Sequence, residues 1–382
     1  MKIYYWCPFI SEVATVKAVI NSIHSFKKFS KHNIELKIIN VFGEWNDKIE
    51  LLNEFNICKI RLNNFNFRNY LLLGGYLKSR FSYMVIFLCS FFNLHKLIQK
   101  DEPNYLICHL ITSLPLFILI MFNYKTKFIL RISGYPKLNF LRRIFWKIAG
   151  NKLFLITCPT KDCLKFLQSQ NIFPKNKLIY LPDPIIDFNE IRKKKLDNII
   201  HEKNFDKLNS IICIGRLTRQ KNYQFLIDCF KDLSIKHKFL KLFIIGDGEE
   251  RDNLQNQINK LKLDNKIFLL GYKKNVYKYL RSSYCFILSS LWEDPGFVLI
   301  EAASANTTII SSNCPNGPRE FLDDGNNGFL FKNNSKVSFL ETFNKFFNSN
   351  QLTIKKKKIL AKRQIKDFTK LNHFKILSKY II

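Results

Sequence analysis

Residues 211–230, IICIGRLTRQKNYQFLIDCF, decide the fold: an apolar run ends in a Gly-Arg turn, and apolar residues then recur at helical spacing. Ile211 to Ile214 form the pattern of a buried strand, while Tyr223, Leu226, Ile227 and Phe230 predict a helix from Asn222. Between them, Gly215, Arg216, Arg219 and Lys221 place cations at the strand's carboxyl end, where α/β sheets take their ligands. The next strand, Leu242 to Ile245, runs into Gly246-Asp247-Gly248-Glu249-Glu250, a second glycine turn that enters a helix. It lacks the third glycine of a dinucleotide fingerprint, so the pattern predicts a turn rather than a nicotinamide site.

Eighty residues on, EDPGFVLIE spans Glu293 to Glu301, with two carboxylates flanking a Pro-Gly turn and an apolar helical run. A helix beginning near Phe297 would point its unpaired amides, those of Gly296 and Phe297, at the turn. Glu301 would lean back toward that same end. Amides and helix dipole suit a diphosphate, and carboxylates accept hydrogen bonds from sugar hydroxyls.

In this order and spacing, Gly215–Lys221, Gly246–Glu250, Phe268–Tyr272, Ser289–Glu301 and Gly317–Phe331 resemble the retaining nucleotide-sugar glycosyltransferases of family 4. The resemblance implies an α/β GT-B fold: two Rossmann-like domains with parallel sheets facing a central cleft. It implies that Arg216 and Lys221 hold the donor diphosphate, that Glu293 contacts the transferred sugar, and that Glu301 binds the ribose hydroxyls. His109, closing the strand Tyr105 to Cys108, stands where such enzymes often place a histidine beside that sugar. Gly215, Gly246, Gly296, Phe297 and Tyr272 complete the expected donor side. Arg131 and Ser133, in RISGYPKLN, fall at another strand's carboxyl end and are expected on the acceptor side. The opening YWCPFISEVATVKAVINS is similar to that of enzymes building bacterial surface polysaccharide and lipopolysaccharide. Family members often have Glu-Gly-Phe-Gly where this chain has Glu293-Asp294-Pro295-Gly296, and glycine where it has Asn306, the residue that best replaces glycine in a left-handed conformation. The loop Pro8 to Ala14 lacks the family's glycine pair, and no role is assigned to its residues.

A chain of 382 residues fits two domains. Strands are expected at Lys2–Trp6, Ile34–Asn40, Cys58–Arg61, Tyr105–Cys108, Lys127–Arg131, Leu153–Thr157 and Lys177–Tyr180, with helices between them, notably Glu12–Lys28 and Thr160–Gln170. This alternation predicts a parallel sheet covered on both faces. The expected domains are residues 1–185, with a C-terminal helix 361–382 packing back on them, and residues 210–360. Residues 186–209, with Pro184 before them and the basic run Arg192 to Lys195 within, are the expected linker.

The balance of 61 basic against 30 acidic residues, a formal charge of +31, predicts attraction to anionic lipid, nucleic acid or polyphosphate without choosing among them. The segment Leu138 to Lys152 is expected to form a helix with Leu138, Leu141, Phe145 and Ile148 on its core face. Its Trp146, Arg142, Arg143 and Lys147 would then dock on an anionic membrane. Phe81 to Leu94 is short for a membrane span, and Leu106 to Tyr124 is better explained as a buried strand plus a packed helix. Ten cysteines without a CxxC pair indicate reduced, cytoplasmic thiols, and Met1 to Phe9 forms a strand pattern rather than a signal peptide.

The implied chemistry is glycosyl transfer with retention, from a nucleoside-diphosphate sugar to a glycan or glycolipid acceptor, at the inner face of the cytoplasmic membrane. No cofactor, no metal and no nucleic-acid partner is expected. No Asp-x-Asp is present to hold a divalent ion, so Arg216 and Lys221 would supply the charge. A non-catalytic basic protein binding membrane or nucleic acid is the other class: it accounts for the charge but not for the ordered turns at strand ends.

Overall fold

The computed structural model describes residues 1–10, 13–72, 76–197, 199 and 205–382. They divide into two compact units, Met1–Ile185 with Thr369–Ile382, and Ile186–Phe368. In the first unit β1 (Lys2–Trp6), α1 (Ala14–Phe29), β2 (Glu35–Asn40), α2 (Ile49–Glu54), β3 (Cys58–Arg61) and α3 (Tyr76–Asp101) come first. They are followed by β4 (Tyr105–Cys108), α4 (Ser113–Met121), β5 (Lys127–Arg131), α5 (Phe140–Lys152), β6 (Leu155–Cys158), α6 (Lys161–Ser169) and β7 (Leu178–Tyr180). The second unit opens with α7 (Phe188–Leu196), β8 (Ser210–Ile214), α8 (Tyr223–Lys236), β9 (Lys241–Ile245), α9 (Arg251–Lys260) and β10 (Ile267–Gly271). It continues with α10 (Tyr277–Arg281), β11 (Cys285–Leu288), α11 (Phe297–Ser304), β12 (Ile309–Ser312), α12 (Pro318–Phe321), β13 (Phe329–Phe331), α13 (Lys336–Phe347) and α14 (Gln351–Gln364). The chain then returns to the first unit as α15 (Lys370–Ile381).

Both sheets are parallel, with strand orders 3-2-1-4-5-6-7 and 10-9-8-11-12-13. Strand order reverses between β1 and β4 in one sheet and between β8 and β11 in the other. At such a reversal the connecting segments diverge to opposite faces, and the carboxyl ends of the two strands open a crevice for ligands. Strand residues alternate between two cores in the first unit. Tyr4, Trp6 and Leu106 pack under α3 to α6, whereas Ile3, Tyr5 and Ile107 pack under α1, α2 and α15. These are the GT-B elements: two Rossmann-like parallel sheets with helices on both faces.

Some expected boundaries and faces differ. Residues 186–209 are not simply a tether, because Asp187 accepts from the Asn189 and Glu190 amides and starts α7, which packs on α10. Only 369–382 joins the first unit; 361–368 stays with the second. Glu12, the expected start of the first helix, and residues 198 and 200–204 of the expected linker lie outside the described residues. The apolar stretch Phe81 to Leu94, expected to be short for a membrane span, lies within the 26-residue α3, which is long enough for one. On α5 the expected core face is rotated: Trp146, Ala149 and Gly150 are buried, while Leu141 and Ile148 are exposed. Gly150 permits this, since a Cβ there would lie 2.7 Å from Phe173, whose ring centroid sits 5.4 Å from that of Trp146. Trp146 therefore belongs to the core, not to a docking patch.

After β2, Glu44 folds into the protein and its carboxylate accepts from the amides of Val41 (3.0 Å) and Phe42 (2.9 Å). Burial nevertheless pushes its pKa up to about 7, from an ordinary value of 4.5. The folded state thus holds a proton that the unfolded state has lost between about pH 4.5 and 7, so stability falls as pH rises through that window. Integrated over the shift, this is about 3 kcal/mol at about 1.36 kcal/mol per unit. Glu44→Gln should remove this slope in urea unfolding measured across the window; an equally steep variant would refute the assignment.

Candidate functional site in the C-terminal unit

The reversal between β8 and β11 brings together segments far apart in sequence. From β8, the turn Gly215–Thr218 leads to a short 3-10 turn, Arg219–Lys221, and α8. From β11, Ser289–Gly296 leads to α11. The Leu291 amide donates to the Gln220 carbonyl (2.8 Å), and the Ser289 hydroxyl donates to the Lys221 carbonyl (2.7 Å). Lys221 Nζ then donates to Glu293 Oε1 at 2.7 Å, in an ion pair whose side chains are only 14% and 5% exposed.

Two residues hold Glu293 in place. The Ser290 hydroxyl donates to the same Oε1, and buried Asn316 donates from Nδ2 to the Glu293 carbonyl (2.9 Å) and to Asp294 Oδ1 (3.1 Å). Neither was apparent from the sequence, although Asn316-Gly317 is a turn dipeptide. Gly317 is required by close approach: a Cβ there would sit 2.2 Å from the Pro295 carbonyl oxygen. The Asp294–Pro295 bond is cis, and Gly296, at φ 86°, leads into α11 with Phe297 as its first residue.

Gly246 follows β9 and presses on the β8 turn so closely that a Cβ would lie 1.9 Å from the Gly215 carbonyl oxygen. Any side chain there would displace the turn that carries Arg216. The Arg216 side chain itself is exposed and, among the described residues, makes no hydrogen bond or ion pair. Glu301 is half-buried on the second turn of α11. Its charge, after burial, raises the pKa of Tyr277, whose buried hydroxyl has no partner among the described residues. Tyr272, beyond β10, is exposed. Asn306 takes φ 64°, the left-handed conformation expected of it.

The remaining expected site residues belong to the N-terminal unit. His109 follows β4, where its amide donates to the Trp6 carbonyl (2.8 Å), and its ring stacks on Tyr5. Both ring nitrogens are buried without a partner among the described residues, and burial, then Arg131 and His373, holds its pKa well below the usual histidine value. His109 is therefore neutral at pH 7. Arg131, expected on the acceptor side, is buried, with Nε donating to Asp183 Oδ1 (2.8 Å) and Nη2 to Asp183 Oδ2. Ser133 accepts from its Nη1 at 3.1 Å. Arg131 is thus committed to a bidentate pair with Asp183 that holds the strand ends, and Ser133 supports it. Asp183, fifty-two residues from Arg131, gives no pairwise signal in a single sequence.

The family model for glycosyl transferases group 1 matches residues 196–367. An uncharacterised glycosyltransferase of Methanocaldococcus jannaschii is 32% identical over 326 residues, covering 81% of this chain and 76% of that protein. A Campylobacter jejuni enzyme is 27% identical over 272 residues, 69% of this chain and 71% of its own; it is an N-acetylgalactosamine-N,N'-diacetylbacillosaminyl-diphospho-undecaprenol 4-alpha-N-acetylgalactosaminyltransferase. In fold, the chain is similar to the Anabaena protein HepE, solved in complex with UDP, at TM-score 0.74, 15% identity and 99% coverage of each chain.

Removing Lys221 would strand the Glu293 carboxylate in its buried setting, and breaking a buried pair from one side costs about 3 kcal/mol or more. Lys221→Ala should therefore lower the unfolding midpoint of the C-terminal unit, and Lys221→Ala with Glu293→Ala should cost less than the two changes summed. Additive single losses in a double-mutant cycle would show that the pair is not coupled.

Proposed function

The chain belongs to the group 1 glycosyltransferases, and on that premise we propose that it moves a hexose or related sugar from a nucleoside-diphosphate sugar to a membrane-associated glycan or glycolipid, with retention of anomeric configuration, in cell-surface polysaccharide biosynthesis. The observation that carries this reading is the Lys221–Glu293 pair at the β8–β11 reversal, beside the exposed Arg216 and the amino end of α11. A departing diphosphate develops negative charge, and fixed cations and amides that meet it lower the barrier without reorganising. Arg216 meets the phosphates directly. Lys221 is shared between phosphate and Glu293, so donor binding releases Glu293 to accept hydrogen bonds from the sugar hydroxyls. Gly296 and Phe297 contribute amides, Glu301 receives the ribose, and Tyr272 lies beside the base.

Side chains and amides supply the charge in this reading, with no metal required. Neutral His109 would serve as a hydrogen-bonding group rather than as a cation. The work is placed at the cytoplasmic face of the membrane, in keeping with the diphospho-undecaprenol acceptor named for the Campylobacter relative. A purely binding role for the basic surface would give the ordered turns at the β8–β11 reversal no ligand to meet.

A charge-assisted hydrogen bond contributes about 1.5–3 kcal/mol, so Arg216→Ala should slow transfer at least about tenfold. Because Arg216 is exposed, the thermal midpoint of the unliganded variant should not move. A panel of nucleoside diphosphates should raise the wild-type midpoint, and the variant should lose most of that rise. The product anomer, assigned by NMR, should match the donor's. No thermal response to any nucleoside diphosphate would defeat the reading.

A further inference from the structure

We propose that the outer face of α3, with α5 beside it in the same layer, is a docking surface for an anionic bilayer. The inference deepens the reading of a membrane-associated acceptor and rests on it for its purpose. Helix α3 is long and apolar enough to cross a membrane, yet only 28% of its most apolar window is buried within the fold. Its inner side is committed: Ile86, Leu94 and Ile98 are in the sheet core, and the Ser90 hydroxyl accepts from Asn63. With that side fixed, α3 cannot be surrounded by lipid. On the opposite side, Phe81, Met84, Leu88 and Phe92 follow helical spacing and are 48%, 51%, 66% and 68% exposed. A soluble helix normally turns charge outward, whereas this one is apolar on both sides.

Topology sets where that face lies. Helix α3 leads into β4, and α5 follows β5, so the first halves of both helices lie toward the carboxyl edge of the sheet, as does the end of β4 carrying His109. Helix α4 packs against both and joins them into one layer. Exposed Phe81, Met84 and Leu88 of α3 and Phe140, Leu141 and Ile144 of α5 fall in those halves, and Phe92 and Ile148 continue each face one turn further along. Charge selects the occupant. Residues 78–100 and 140–152 contain Lys78, Arg80, Lys96, Lys100, Arg142, Arg143, Lys147 and Lys152 and no carboxylate. A second copy of this chain would bring like charge to like, whereas anionic headgroups complement the cations and acyl chains accept the apolar face. Helix α3 then lies in the interfacial plane.

The test is flotation of the whole protein with vesicles of phosphatidylglycerol and phosphatidylcholine in equal parts. The triple variant Phe81→Ser, Leu88→Ser, Phe92→Ser should bind at least tenfold more weakly, with its nucleoside-diphosphate thermal response intact. Arg142→Gln, Arg143→Gln, Lys147→Gln should weaken binding to those vesicles while leaving the weaker binding to phosphatidylcholine alone unchanged. If the triple variant folds poorly, Leu88→Gln, one exposed change, should still reduce binding severalfold. Wild-type flotation by either α3 variant overturns the proposal. So does a lipid-free wild-type dimer, seen by sedimentation, that the α3 changes dissociate. Lost nucleotide response with intact flotation would instead sink the transfer reading alone.

Discussion

The buried pair between Lys221 and Glu293 is the constraint on which the C-terminal unit turns. Two charges at 14% and 5% exposure carry a desolvation penalty of several kcal/mol each, recovered only where geometry is close and the remaining bonding capacity is filled. Ser290 adds a second hydrogen bond to the carboxylate, and Asn316 fixes the backbone that carries it. The pair in turn demands that β8 and β11 be neighbours and that their loops interlock, which the 10-9-8-11-12-13 order provides. Gly246 and Gly317 permit the remaining close approaches. A ligand anion would meet turns that are already positioned.

The strands were legible because a parallel sheet covered on both faces leaves its strands as short continuous apolar runs between turns. Lys2–Trp6 and Lys127–Arg131 coincide with β1 and β5 to the residue. Helix phase was harder. On α5, one large ring and one glycine outweighed Leu141 and Ile148, and spacing alone does not weigh Trp146 against Leu141. Helix α7 had a signal, Asp187 three residues before Glu190, the order of a capping box, but the basic run after it suggested a tether. In the site, residues within a motif were legible, whereas Ser290, Asn316 and Asp183 are defined only by what they touch.

The N-terminal unit solves a similar problem with different parts. At its carboxyl edge Arg131 meets Asp183, and α15 closes the surroundings: His373 Nε2 lies 2.9 Å from Ser22 Oγ, and its Nδ1 lies 3.0 Å from the Pro182 carbonyl. The neighbouring Ser22 is in turn 3.1 Å from the Tyr5 hydroxyl. Helix α15 therefore completes a polar network under the first strand, so this unit depends on residues 369–382 as well as on 1–185.

The two buried ion pairs also differ in a way that assigns their roles. Arg131 engages Asp183 through a planar fork, and Ser133 accepts from a third donor, so three of the five guanidinium N–H groups are engaged and Asp183 cannot leave without stranding a buried charge. Lys221 presents a compact ammonium on a flexible stem, with a single carboxylate oxygen as its side-chain partner among the described residues. Such a cation can exchange one oxyanion for another at small geometric cost, and the carboxylate it leaves still keeps the Ser290 bond. A pair built to hold strands together should resist substitution by ligand; a pair built to admit an oxyanion should be satisfied when empty yet exchangeable. Arg131–Asp183 has the first character and Lys221–Glu293 the second, and this contrast supports the proposal that a donor's phosphates are met in the C-terminal unit.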